Sequence, residues 1–184
     1  MRSPRLHSSS ALKRGPLVAL VCLTLTSKAQ SAERVEGAQS ALMAAIVLNF
    51  ARFADWPPTR FASASAPVVL CADNADPFTS ALSGLDGQAV GARRLSVRRM
   101  PSDDFNAECH LAFIGPSRAS PARLAALEQQ GVLVVGEGDD FAKSGAIALV
   151  RVGREIRFEV NDGVARRSGV KLSSKLLRLA LTVR

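Results

Sequence analysis

Glu155–Ala180, EIRFEVNDGVARRSGVKLSSKLLRLA, is the stretch whose reading decides the fold. Ile156, Phe158 and Val160 alternate with Glu155, Arg157 and Glu159, the period of a strand with one buried face. Asn161-Asp162-Gly163 ends the strand in a turn-prone run, and a short basic segment follows. The spacing of Leu172, Leu176, Leu179, Ala180 and Val183 then predicts the apolar face of a helix. Charged rows, Glu155/Arg157/Glu159 and Lys171/Lys175/Arg178, flank the apolar ones. The stretch holds no nucleophile–base pair and no metal-ligand cluster. It reads as a surface for another macromolecule joined to a core.

Upstream, Ala146–Val152 and Glu155–Val160 make a hairpin turning at Gly153-Arg154. Val68–Cys71, Arg94–Met100, Cys109–Ile114 and Val132–Val135 read as further strands. Gln39–Asp55 predicts a helix with Leu42, Ile46, Asn49, Phe53 and Trp56 on one side, stopped by Pro57-Pro58. Asp76 with Pro77, and Ser120 with Pro121, are cap and first-position pairs for two more helices. Strand–helix–strand alternation closing in a hairpin gives one α/β domain. Its sheet is mixed and mostly parallel, of about six strands, flanked by helices on both faces.

The first residues set the compartment. Arg2, Arg5, Lys13 and Arg14 precede the apolar run Leu17–Leu25, and Ser27-Lys28-Ala29 offers a small-x-small cleavage site. The expectation is a signal peptide over residues 1–29, cleaved after Ala29 or Ala32, with the domain at 33–184. The alternative is an uncleaved anchor, for which the run falls short of the ~20 apolar residues a span needs. Cys22 lies inside the run and follows Val21, not the small residue that lipidation requires. Five of the 24 basic residues leave with the leader, and 19 remain against 16 acidic, a net +3. That balance, with few aromatics for stacking, excludes nucleic acid as the expected partner. Arg93-Arg94 and Arg98-Arg99 read as solvated faces; Arg166-Arg167 reads either so or as a patch for an acidic partner.

Cys71 and Cys109 are the cysteines beyond the leader, and in an oxidising compartment they form either one disulfide or two buried thiols. A bridge would close a loop of about 39 residues, worth roughly 4 kcal/mol in chain entropy. Cys71 comes late in its strand and Cys109 early in its own, so the bridge needs a stagger or a bend. His110 is the one histidine past the leader and sits in an apolar strand pattern without a nucleophile partner. One His and two Cys at separations of 38 and 1 residues lack zinc spacing. Gly136-x-Gly138-Asp139-Asp140 has neither the length of a phosphate loop nor the ligand count of a calcium loop, and reads as a turn and helix cap. No catalytic residue, metal or cofactor is expected.

Several motifs together resemble the YfiR family of periplasmic proteins: Asn49–Pro57 (NFARFADWP), Cys109–Gly115 (CHLAFIG), Phe141–Gly145 (FAKSG), Phe158–Asn161 (FEVN) and Lys171–Ala180 (KLSSKLLRLA). The family often has Tyr at the position of Leu48 and Gly at that of Ala146. The resemblance implies a regulator: a protein that binds the periplasmic sensor region of a membrane diguanylate cyclase and represses it, lowering cyclic di-GMP and biofilm formation. It also implies an outer-membrane lipoprotein that can draw the repressor away, and leaves a homodimer open. The alternative function is a periplasmic small-molecule sensor with a pocket near the helix ends at Asp76 or Ser174. The residues for partner or ligand binding are Asn49, Phe53, Trp56, Phe158, Glu159, Asn161, Lys171, Ser173 and Ser174. For Phe53 and Trp56 the competing expectation is core packing. For Ser173-Ser174 it is a helix cap, with anion binding aided by Lys171 the second choice.

Overall fold

A computed structural model describes residues 17–184 of the chain. The basic start of the expected leader, Arg2 to Arg14, lies outside the described residues. The chain divides into two units, one up to Ala38 and one from Gln39 to Arg184. Within the first, the chain is helical from Leu17, where helix α1 (Leu17–Arg52) begins. Every element after α1 belongs to the second. Among the described residues no helix is long and apolar enough to cross a membrane.

After α1 come β1 (Ala54–Asp55), β2 (Val68–Asp73), α2 (Thr79–Ser83), β3 (Ala89–Val90), β4 (Arg93–Met100) and β5 (Leu111–Ile114). The chain continues through α3 (Pro121–Gln129), β6 (Leu133–Glu137), β7 (Ile147–Val152) and β8 (Glu155–Val160). It ends with α4 (Asp162–Arg167), β9 (Lys171–Leu172), α5 (Ser174–Leu179) and β10 (Thr182–Val183). Eight strands form one mixed sheet in the order β10-β8-β7-β6-β5-β2-β4-β3. The five central strands from β4 to β7 are parallel, β8 is antiparallel to β7, β10 is parallel to β8 and β3 is antiparallel to β4. The α/β class agrees with the sequence, but the sheet has eight strands rather than about six. The two extra strands, β3 and β10, are two residues each, too short to show a period of two.

Strand alternation splits the interior between the two faces of the sheet. Val68, Leu70, Leu111, Phe113, Leu133 and Val135 pack with α1, while Val69, Ala112, Ile114 and Val134 pack with Leu124 and Leu127 of α3. On α1 the buried stripe is Met43, Ala44, Val47, Leu48, Phe50 and Ala51, with Val47, Phe50 and Ala51 at 0% exposure. This corrects the expected face: Leu42 and Asn49 are exposed, and Ile46 and Phe53 lie at its margin. Counting only large side chains misplaces the stripe, because Ala44 and Ala51 belong to it and bury against the core as the large residues do. The helix also stops at Arg52 rather than Asp55, because Ala54–Asp55 pairs with Lys171–Leu172 as a second, two-stranded sheet.

That pairing also breaks the long C-terminal helix expected from Leu172 to Val183. Leu172 is in a strand, the helix runs only over Ser174–Leu179, and Val183 belongs to β10. The hairpin falls where the sequence puts it: Val152 faces Glu155, and Gly153 has φ +60°, a turn conformation that favours glycine. Gly136 and Gly145 lie against the ring of Phe141, and a Cβ on either would overlap that ring. This gives the FAKSG motif a packing role, since Phe141 fills the space the two glycines leave.

Cys71 and Cys109 are bridged, with Cα atoms 5.7 Å apart. In the β2–β5 register Cys71 lies opposite Ala112, so a regular strand would hold Cys109 out of reach. The bend comes at His110: Leu111 and Phe113 face α1 and Ala112 and Ile114 face α3, yet Cys109 joins the α3 side out of alternation. For the same reason β5 begins at Leu111 and not at Cys109.

Candidate partner surface

The C-terminal edge of the sheet brings together several of the residues the sequence singles out. Ser173 caps α5, its hydroxyl accepting from the Leu176 N–H at 3.2 Å, and its own N–H donates to the Phe53 carbonyl at 2.9 Å. This ties α5 to the end of α1 and puts the Lys175 ammonium 5.3 Å from the centre of the Phe53 ring. Phe158 packs edge-on against Phe50 at 5.1 Å, and its carbonyl accepts from the Leu181 N–H at 2.8 Å. From there the chain leaves apolar groups in water: Leu179 is 56% exposed and Leu181 and Val183 are each 46% exposed. Lys175 and Arg178, on the turn before Leu179, are exposed, as are Lys171 and Ser174. An apolar strip with a basic rim suits a macromolecular partner better than a small anion.

Glu159 is not on an open edge. β10 covers the end of β8, with Thr182 opposite Glu159 and Val183 opposite Val160, and Arg184 pairs with the Glu159 carboxylate at 3.2 Å. Asn161 is likewise engaged: its side-chain oxygen accepts from the Val164 N–H at 3.1 Å and caps α4, while its amide donates to the Ala142 carbonyl at 2.9 Å. Asn49 points to solvent on the outer side of α1. Arg166 and Arg167 are paired with Asp162 and Glu128, at 2.7 and 2.5 Å.

Trp56 and His110 form a separate, structural assembly. The Trp56 indole donates to the His110 carbonyl at 3.1 Å, and the imidazole stacks on Phe61 at 4.5 Å. Nδ1 of His110 accepts from the Val69 N–H at 3.2 Å, so Nε2 carries the proton and donates to the Arg60 carbonyl at 3.1 Å. Burial first, and the Arg60 charge next, push the imidazole down to about 4, and it is neutral near neutral pH. Arg60 in turn donates to the carbonyls of Cys109 and Gln130, and the Arg93 guanidinium covers the outer face of Phe61 at 3.6 Å. Both nitrogens of His110 are committed to the backbone, which leaves none for proton transfer. Arg60 and Phe61 carried no recognisable sequence signal, and Arg93, expected on a solvated face, instead covers Phe61; each acts through residues far away in the chain. Among the described residues no group of three ligating side chains could hold a metal.

The description YfiR/HmsC-like covers the family that matches residues 40–181, nearly the whole second unit. The chain belongs to the YfiR/HmsC-like family. Proteins of this family are periplasmic regulators of diguanylate cyclases rather than enzymes. Comparison with curated protein sequences gives no significant match. Two solved structures are similar at low identity. A conserved domain protein from Vibrio cholerae O1 biovar El Tor is 11% identical at a TM-score of 0.48, over 64% of this chain and 55% of that one. The ABC domain from Streptococcus pneumonia in complex with L-Trp is 10% identical at a TM-score of 0.42, over 63% of this chain and 55% of that one. This chain thus spans little more than half the length of either structure.

Proposed function

We propose that this YfiR/HmsC-like protein is exported and restrains a membrane diguanylate cyclase by binding its periplasmic sensor region. The family match over residues 40–181 carries the reading. The exposed Leu179–Leu181–Val183 strip and its basic rim supply a surface suited to that contact. Repression requires that the protein bind the inactive arrangement of the cyclase more tightly than the active one, because a ligand shifts an equilibrium only by differential affinity. Bound protein then lowers cyclic di-GMP and biofilm formation, and an outer-membrane lipoprotein competing for the repressor relieves it. The signal peptide over residues 1–29 belongs to the same proposal, because a cytoplasmic copy never meets the sensor region.

The test is deletion of the gene, measurement of cellular cyclic di-GMP, and complementation with the full chain or with one lacking residues 2–29. A rise on deletion that only the exported form reverses supports a periplasmic brake. An unchanged level removes the mechanism for this protein.

A further inference from the structure

β10 is the outermost strand of the large sheet, so one of its sides faces away from every other strand. The register shows which groups stand on that side. Val183 lies opposite Val160, and the Val160 carbonyl accepts from the Arg184 N–H at 2.9 Å. In a parallel ladder a residue bonds to the two neighbours of the one it faces, so Thr182 and Arg184 hold Val160. Val183 therefore turns its own N–H and carbonyl away from β8, and among the described residues nothing pairs with them. An unpaired edge of this kind is a template for strand addition.

The side chains say what kind of strand would fit. Val160 belongs to the core on the α1 side, and the register puts the exposed Val183 on that face too. Leu181, two residues earlier, is equally exposed. After Asp162 the chain carries six basic residues, Arg166, Arg167, Lys171, Lys175, Arg178 and Arg184, and no acidic one. Arg166, Arg167 and Arg184 pair with Asp162, Glu128 and Glu159. Lys175 and Arg178 are exposed and meet no carboxylate among the described residues.

From this geometry we propose that the β10 edge takes an extended, acidic segment of a protein partner, which joins the sheet beside β10. Its backbone bonds to Val183, its apolar side chains cover Leu181 and Val183, and its carboxylates meet Lys175 and Arg178. Charge disfavours a second copy of this chain, whose own edge would bring like charges together. The open backbone disfavours a lipid surface, because hydrocarbon cannot satisfy a free N–H and carbonyl. The inference rests on the regulatory reading and names the chemistry of the cyclase segment that meets this edge.

The test uses the full exported chain and the cyclase's isolated sensor region, with calorimetry for binding and cellular cyclic di-GMP for repression. Val183→Pro removes the outward N–H and leaves the bonds to Val160 in place, and an edge strand accepts proline at such a position. Lys175→Glu combined with Arg178→Glu reverses the two free charges. Each variant is expected to keep its melting temperature, to weaken binding at least about tenfold and to lose repression. Arg94→Glu with Arg99→Glu, the same charge change on the β4 edge, is expected to leave binding and repression intact. Undiminished binding by the folded Val183→Pro protein overturns the proposal, and so does undiminished binding by the folded double charge reversal. Either result leaves the regulatory reading standing, whereas a sensor region that the unaltered chain does not bind removes both. Retention of the chain on phosphatidylglycerol vesicles, abolished by the double charge reversal, overturns the proposal in favour of lipid.

Discussion

The two edges of the sheet are finished in different ways. At one, the two residues of β3 cover only the start of β4, and the rest of that strand is guarded: the Asp86 carboxylate takes the Val97 N–H at 2.8 Å, while Arg98 and Arg99 stand exposed. At the other, β10 covers the end of β8 but presents Leu181 and Val183 to water beside Leu179. Charge and a side-chain cap discourage further strand pairing at the first edge. The second keeps apolar groups in water where a polar edge would cost nothing. Under the proposed function, the β10 edge is the one kept for a partner.

The largest effect on partner binding should come from charging that edge. Leu181→Asp is expected to weaken binding of the cyclase's periplasmic region at least about tenfold, as removing an interface anchor does. Arg99→Asp on the opposite edge should leave it unchanged. Pull-down or calorimetry with the isolated sensor region decides, and equal loss from both substitutions would break the comparison.

The largest effect on stability should come from the Cys71–Cys109 bridge, which ties β2 to the approach of β5 in the half of the sheet bearing the arginine edge. Replacing both cysteines by Ala is expected to lower stability by about 3–4 kcal/mol in denaturant titrations, from the chain entropy restored to the unfolded state. Hydrogen exchange should then show β4 losing protection before β8.

His110 adds a pH term to that same half. The folded chain keeps its imidazole neutral down to about 4, whereas the unfolded chain takes up the proton near 6.5. Its contribution is therefore complete above the unfolded value, falls as pH drops from 6.5 towards about 4, and is gone below that. The loss is on the order of 3 kcal/mol. His110→Phe should flatten that part of the stability–pH curve, at a cost of about 1–3 kcal/mol at neutral pH for the Val69 N–H left without an acceptor.

The smallest effects separate the two ways of finishing an edge. Asp86→Ala uncovers the Val97 N–H and should cost about 1 kcal/mol. Glu159→Gln removes the pair with Arg184 at the protein surface and should cost no more than about 1 kcal/mol. Chemical denaturation of the two variants side by side checks the order.

The hairpin, the caps at Ser120 and Ser173 and the parallel strands were legible because each rests on local rules of turn, cap and alternation. The α1 stripe was misplaced because alanines bury a helix face as effectively as leucines where the sheet comes close. Of the residues proposed for partner binding, the structure brings Phe53, Phe158, Ser173 and Ser174 to one edge. It gives Asn161 and Trp56 structural partners and leaves Asn49 apart from them in solvent. Leu181 escaped notice because its meaning depends on lying next to β8.

By itself the sequence determined the α/β class and the core of the sheet. Those follow from residue type and spacing, which act over a few neighbours. Only the tertiary structure decided that Cys109 reaches Cys71 through a bend at His110 and that Lys171–Leu172 leaves the helix to pair with Ala54–Asp55. Each of these depends on residues far apart in the chain meeting at one place, and the gain from such a meeting outweighs local preference once the core has formed.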